Sequence, residues 1–379
     1  MPVSWTPQRP VAVIAASVSL LLSVAACASS TGSSSPSLSG TPKGIVLDLA
    51  GQVEILADVA GGAPQATAGT ATPGSAGDPL ALRQVAQLSP TLVVGIEGSQ
   101  GQLATVNPQA PGAPNLIPSG QALSWFPAAN GHDLWAVRMS TDQSCPAVEH
   151  GQIHLPRYQL GELDAAGSMI EPFRLLGCGV LPISESAKGL IVKELTTATD
   201  TGTPSGRVLT NLDLLGAQDA LKPLITDTNP LAAAGDTVVI APRQCTTGSC
   251  VATYNVSTGR QTALPVGSGD KAAAGAGTLD PTGRYYATAV LDNGTHATAL
   301  VVVDIKNGTA TSIGAYSTYT APSPGSLADD MPSVWSGDRF LALDPSTSSL
   351  LSYDASSGKT GTHTGLDLKS SSGVWGASS

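Results

Sequence analysis

Leu279-Asp280-Pro281-Thr282-Gly283-Arg284-Tyr285-Tyr286-Ala287 is the stretch on which the reading of this chain turns. Thr282-Gly283 supplies the positive φ that a tight turn needs, and Asp280 can bond its own backbone across it. The residues from Tyr285 onward are apolar and aromatic, the composition of a strand buried in a sheet. The stretch therefore reads as strand, turn, buried strand.

The same unit recurs in both directions along the chain. It stands at Asn130-Gly131-His132-Asp133-Leu134-Trp135-Ala136-Val137, Ala187-Lys188-Gly189-Leu190-Ile191-Val192, Gly235-Asp236-Thr237-Val238-Val239-Ile240 and Ser336-Gly337-Asp338-Arg339-Phe340-Leu341-Ala342. A second unit alternates with it: an apolar strand, an Asp or Asn, small residues, a Gly, and another strand. Its copies begin at Asp48, Asp164, Asp213, Asn255, Asp304 and Asp354, with a degenerate one at Thr105-Val106-Asn107 whose Gly is delayed to Gly112. The later copies return about every 50 residues, within the range of propeller blades. One period then makes one four-stranded sheet, the first unit joining its inner strands and the second its outer ones.

These residues resemble the Ser-Pro-Asp-Gly-Arg-Tyr-Leu-Ala strand-turn-strand of bacterial WD40-like and TolB-like propellers, and the Asp-x-x-x-Gly hairpins resemble their outer turns. The resemblance implies an all-β propeller over 43–379, with seven blades if the degenerate copy counts. The Trp-Asp dipeptide, the double glycines of kelch repeats and the Asp-box of sialidases are missing, so what carries over is a fold, and a fold does not imply a function. Near the end, Gly373-Val374-Trp375-Gly376 looks like the blade opening at Ser333-Val334-Trp335. The carboxyl-terminal strand is therefore expected to complete the amino-terminal blade and close the ring. Two β-sandwiches are the competing architecture.

The first residues carry one cation, Arg9, and lead into an apolar run from Val11 to Val24. That run is short for a membrane span but suits the core of an export signal. It ends in Val24-Ala25-Ala26-Cys27, which resembles the bacterial lipobox. The resemblance implies a signal peptide over 1–26, cleavage, and lipidation (palmitate) of Cys27. Residues 27–42 are Ser, Gly, Thr, Pro and Ala almost throughout, a flexible tether. The expected location is the extracytoplasmic face of the cell membrane, lipid-anchored, and the Ala, Gly, Thr and Val richness leans towards an actinobacterium.

Composition narrows the class further. With 42 Gly, 28 Pro and only 12% charged residues, short strands and turns are favoured over amphipathic helices. The net charge of −10 argues against nucleic acid and against direct adhesion to anionic lipid, both of which call for basic patches. Apart from Cys27 there are four cysteines, an even number that suggests disulfides in an exported protein. Cys245 and Cys250 flank a short hairpin, which leaves Cys145 to pair with Cys178. The spacings lack the signature of common zinc folds, so no metal and no cofactor is expected.

Catalytic constellations are sparse. No Gly-x-Ser-x-Gly elbow is present. Of the histidines, His132, His150, His154, His296 and His363, only His150 and His154 are close, with Glu149 beside them, and the surrounding Gly151, Pro146 and Pro156 make that region a loop. Asp48, Asp164, Asp213, Asp304 and Asp354 share one repeat position and read as turn formers. The remaining binding-surface candidates are the acidic pair Asp329-Asp330, in a loop before a blade, and Trp125, Phe126 and Trp335, near blade starts. Exposed, these aromatics would bind a ligand; buried, they would pack between blades. The function expected is that of a monomeric binding or scaffold propeller for a protein or cell-envelope partner, with no catalytic residue identified. A channel-mouth enzyme, lactonase-like or glycan-cleaving, is the alternative.

Overall fold

The computed structural model describes residues 44–49, 52–57, 66–68, 82–89, 91–97, 100–107, 114–142, 144–145, 147–148, 153–198, 207–216, 219–242, 251–266, 271–273, 277–292, 297–316, 333–344, 347–364 and 373–378. The signal and tether segments, 1–42, lie outside the described residues, and so does Cys27. Within the described residues no helix is long and apolar enough to cross a membrane.

All of the long elements are antiparallel strands. Six four-stranded blades succeed one another along the chain, innermost strand first. Blade 1 pairs Leu82–Ser89, Leu92–Glu97, Leu103–Val106 and Asn115–Leu116. Blade 2 pairs Ser124–Pro127, Leu134–Met139, Arg157–Leu163 and Met169–Cys178. Blade 3 pairs Val180–Ser186, Gly189–Ala198, Arg207–Leu215 and Leu221–Ile225. Blade 4 pairs Thr228–Ala234, Thr237–Pro242, Ala252–Asn255 and Arg260–Ala263. In blade 5 the inner strand comes in two pieces: Lys271–Ala273 and Thr278–Leu279 both pair with Tyr285–Asp292, and Ala297–Asp304 and Thr309–Tyr316 complete the sheet. Blade 6 pairs Ser333–Ser336, Arg339–Asp344, Ser349–Asp354 and Lys359–Thr364.

A further sheet joins the two ends of the chain. Its order is Ala66–Ala68, Gln52–Ala57, Gly44–Leu49, Gly373–Ser378, with Gly44 opposite Ser378 and Leu47 opposite Val374. The expected pairing of the termini is therefore present. The count differs from seven: six blades are described with their side chains, and the terminal sheet in its backbone pairing alone. Blade 6 also reaches blade 1 directly, because Ser333–Ser336 lies alongside Leu82–Ser89, and Gly373–Ser378 lies against both. In the terminal sheet the Asp48–Gly51 hairpin joins the second and third strands from the inside, whereas Asp164–Gly167 and its later equivalents join the third and fourth.

The cores are the seams between blades, because a sheet inside a ring has apolar residues on both faces. Leu134 to Val137, Leu190 to Val192, Val238 to Ile240, Tyr285 to Ala287 and Phe340 to Leu343, the strands expected to be buried, are all buried. Alternate residues of one strand serve opposite seams. Ala136 and Leu134 pack towards blade 1 with Val94 and Ile96, while Trp135 and Val137 pack towards blade 3 with Val192 and Leu215. Ile191 and Leu212 meet Val238 and Ile240 of blade 4, and Tyr285 and Leu300 of blade 5 meet Trp335 and Phe340 of blade 6.

The strand-turn-strand at 279–287 shows why its residues are needed. The Asp280 carboxylate is buried and accepts the N–H groups of Arg284 (2.7 Å), Tyr285 (2.6 Å) and Thr282 (3.1 Å). Gly283 closes the turn by donating to the Asp280 carbonyl, with φ +69°. A Cβ there would stand 2.9 Å from the Ala234 carbonyl oxygen, so the turn also abuts blade 4. Gly179 is the single residue between blades 2 and 3; at φ +75° its missing Cβ would fall 2.3 Å from the Leu195 carbonyl oxygen.

Candidate functional site

Antiparallel pairing sorts the connections of the blades between two ends. Those joining first to second strand and third to fourth lie at one end, and five of them are tight: 187–188, 235–236, 164–168, 305–308 and 355–358. Four acceptors pin the outer turns as expected. Asp164 accepts from Ser168 N, Asn255 from Thr258 N, Asp304 from Lys306 N and Asn307 N, and Asp354 from Ser356 N. The connections from second to third strand and from one blade to the next leave at the other end. They include the long segments 140–156, 199–206, 243–251 and 317–332.

Of these, 140–156 is the one whose described residues show how it is held to the body. Cys145 and Cys178 are joined by a disulfide, as the sequence implied, so the insertion is fixed to the last residue of blade 2. Arg157, at the base, donates to Asp142 (2.7 Å), Ser144 Oγ (2.9 Å) and the Leu176 carbonyl (2.8 Å). Hydrogen bonds from Ser144 first, then the Arg157 guanidinium, hold the Asp142 carboxyl below its ordinary value. Inside the insertion, Ala147–Val148 pairs with Ile153–His154, and the His154 ring donates through Nδ1 to the Cys145 carbonyl (2.9 Å). Glu149, His150, Cys245, Cys250, His296, Asp329 and Asp330 lie outside the described residues.

The aromatic candidates are corrected by burial. Trp125, Phe126 and Trp335 are 9%, 5% and 2% exposed, so they are packing residues and present no surface to a ligand. Each indole N–H finds an acceptor in the adjoining blade: Trp125 Nε1 donates to the Gln84 carbonyl (2.9 Å) and Trp335 Nε1 to that of Thr278 (3.4 Å). Trp135, which nothing in the sequence marks as a site, does the same with Glu185 Oε2 (2.8 Å), an oxygen that also accepts the Ala129 N–H. The apolar bodies fill the seams while the polar tips lock neighbouring blades together.

One acid departs from its repeat position. Asp213 reads like Asp304 in the sequence, but the hairpin after it is longer and closes between Gly216 and Ala220. Asp213 therefore stays inside the strand, opposite Val192, and is 1% exposed. Its Oδ2 has no hydrogen-bond partner. A register shift stands beside it in the ladder to the outer strand, and Glu194, diagonal to it across the ladder to the second strand, sets a second carboxyl on the same face. Burial, then Glu194, raises the Asp213 carboxyl to about 7. Asn211 Nδ2 donates to Glu194 (3.2 Å) and is itself held by the Asp227 N–H (3.1 Å).

Six four-stranded sheets set side by side, inner strand against inner strand and last against first, are blades around one axis. The fold is a β-propeller. No protein-family model and no curated protein matches the sequence. Among solved structures, the propeller is similar to uncomplexed acylaminoacyl peptidase of Pyrococcus horikoshii, with a TM-score of 0.51 at 10% identity over 83% of this chain and 48% of that one. This chain thus spans about half the length of the peptidase. TolB from Acinetobacter baumannii matches at a TM-score of 0.41 and 14% identity over 73% of this chain and 62% of that one. AztD from Citrobacter koseri matches at 0.39 and 12% over 86% and 95%. At such identities the likeness concerns the fold alone. The propeller's own residues therefore have to carry the functional reading.

Proposed function

We propose that the chain is a lipid-anchored extracytoplasmic protein, held to the cell membrane through Cys27, whose propeller binds a protein or cell-envelope partner at its loop-bearing end. The observation that carries this reading is the 140–156 insertion. A disulfide, an ion pair and a short hairpin fix it on the end of the ring where the long connections emerge. Pre-ordering a loop lowers the entropy that binding must overcome, and recognition loops on rigid scaffolds are built this way. At the opposite end the tight turns 187–188, 235–236, 305–308 and 355–358 offer little but scaffold. In this reading residues 28–42 hold the propeller clear of the membrane, the terminal sheet acts as a seventh, closing blade, and the protein works as a monomer.

The test is crosslinking on intact cells, read by mass spectrometry, with three proteins: the full chain, Cys27→Ser, and a chain in which 143–152 is replaced by a Gly-Ser linker. The reading expects one crosslinked partner for the full chain. It expects that partner to be lost with the linker while the melting temperature of the body stays within a few degrees, and Cys27→Ser to leave the membrane fraction. A partner crosslinked equally well without the insertion would overturn the assignment of the surface. A Cys27→Ser protein that stays membrane-bound would overturn the anchor.

A further inference from the structure

The seam between blades 2 and 3 carries four acids, Asp213, Glu194, Glu185 and Glu162, that none of the described ion pairs engages. Asp213 and Glu194 stand in its middle, on the blade 3 face. Glu185, on the inner strand of blade 3, holds Trp135 and Ala129 of blade 2. From blade 2 the same seam receives Tyr158, packed beside Val192 and Leu215, and Glu162, whose carboxyl is raised by burial and then by Glu171, Asp133 and Glu185. Five cations of the two blades have described partners away from Asp213 and Glu194. Arg174 is tied to Asp219, Arg157 to Asp142, Arg138 to Gln159, Lys193 to Asn229 of blade 4, and Lys188 to carbonyls of blade 4.

Two ionised carboxylates cannot hydrogen-bond each other; each has acceptors only. Glu194 nonetheless stands diagonally across the ladder from Asp213 on the same face of the sheet, and the buried Asp213 Oδ2 is left without a partner if both groups are ionised. One proton placed on the pair resolves both observations. It removes one of two like charges from a site that is 1% exposed at Asp213, and it supplies the missing donor. We propose that Asp213 and Glu194 share a single proton across the ladder of blade 3, an acid-set pin between its second and third strands that is closed while the proton is held and slackened when it passes to solvent.

The direction of the effect is set by linkage. Asp213 titrates at about 7 in the folded chain against 3.8 for the free side chain, so the folded state holds a proton that the unfolded state has lost. The stabilisation is full below about pH 4, is lost as pH rises towards neutrality, and changes no further above it. The protein would thus be most stable in an acidified medium and less stable within blade 3 from neutral pH upward.

The experiment measures the melting temperature of the full chain from about pH 4 to pH 9, beside Asp213→Asn and Glu194→Gln. The amide of Asp213→Asn imitates the protonated acid, so its profile should be flatter than that of the parent and should lie at or above it at pH 8. Glu194→Gln removes the like charge and should shift the parent's inflection to lower pH. Difference infrared spectroscopy of the unmodified chain should show a protonated-carboxyl band that disappears near neutrality, which keeps the test decisive if Asp213→Asn fails to fold. Profiles of both variants parallel to the parent, or no such band, would overturn the proposal.

Discussion

Asp280 gathers three backbone N–H groups of the turn between the inner strands of blade 5. Removing that acceptor leaves buried donors without partners, at a cost of about 1–3 kcal/mol for each that water cannot reach. Asp280→Ala should therefore lower stability by about 2–4 kcal/mol, read as a shift of the urea midpoint. Gly283→Ala should cost at least about 2 kcal/mol for two separate reasons, the positive φ and the collision with Ala234 of blade 4. Trp135→Phe keeps most of the apolar body but withdraws the indole N–H from Glu185; the expected loss is about 1–2 kcal/mol, and restoring blade contact with Glu185→Gln in the Phe background should recover part of it. At this scale the sequence was readable where a residue's partner is its own turn, as at Asp280, Asp304 and Asp354. It was not readable at Asp213, because Asp213-Leu214-Leu215-Gly216 repeats the pattern of the other copies and only the longer hairpin beyond Gly216 draws the acid into the sheet. Nor could the fate of Trp125 and Trp335 be read locally, since the acceptors at Gln84 and Thr278 belong to other blades.

The element that matters most to the functional reading is the insertion between the second and third strands of blade 2. The pairing of Cys145 with Cys178 was legible from cysteine parity and hairpin spacing, whereas the Arg157 network was not, because it depends on the chain returning 15 residues after Asp142 and beside Leu176. Replacing both cysteines by Ser frees a loop of separation 33, which corresponds to about 2–4 kcal/mol. The more specific expectation is local. Proteolysis in 143–152 should accelerate at least tenfold on reduction, while fragments from Leu190–Val192 and Val238–Ile240 keep their rate. Uniform acceleration across the chain would mean that the bridge holds the whole ring and has no special part in ordering the insertion.

For the whole molecule, the repeat carried the architecture because most blades share the same two turns, and the blade count suffered where a copy breaks the rule. The Asp48–Gly51 hairpin lies one strand further in than its equivalents, so the first sheet cannot be counted from hairpins alone. Its identity rests instead on a contact between opposite ends of the chain, Gly44–Leu49 with Gly373–Ser378. A ring closed in this way has no free inner edge, and a strand at the closure supports the blades on both sides of it. The most direct test is therefore the thermal unfolding of a chain ending at residue 372, monitored by circular dichroism beside the full chain. The account predicts one cooperative transition, at least about 5 °C lower, with all blades lost together. Unfolding at the full chain's temperature, or a low-temperature phase confined to a small fraction of the signal, would contradict it.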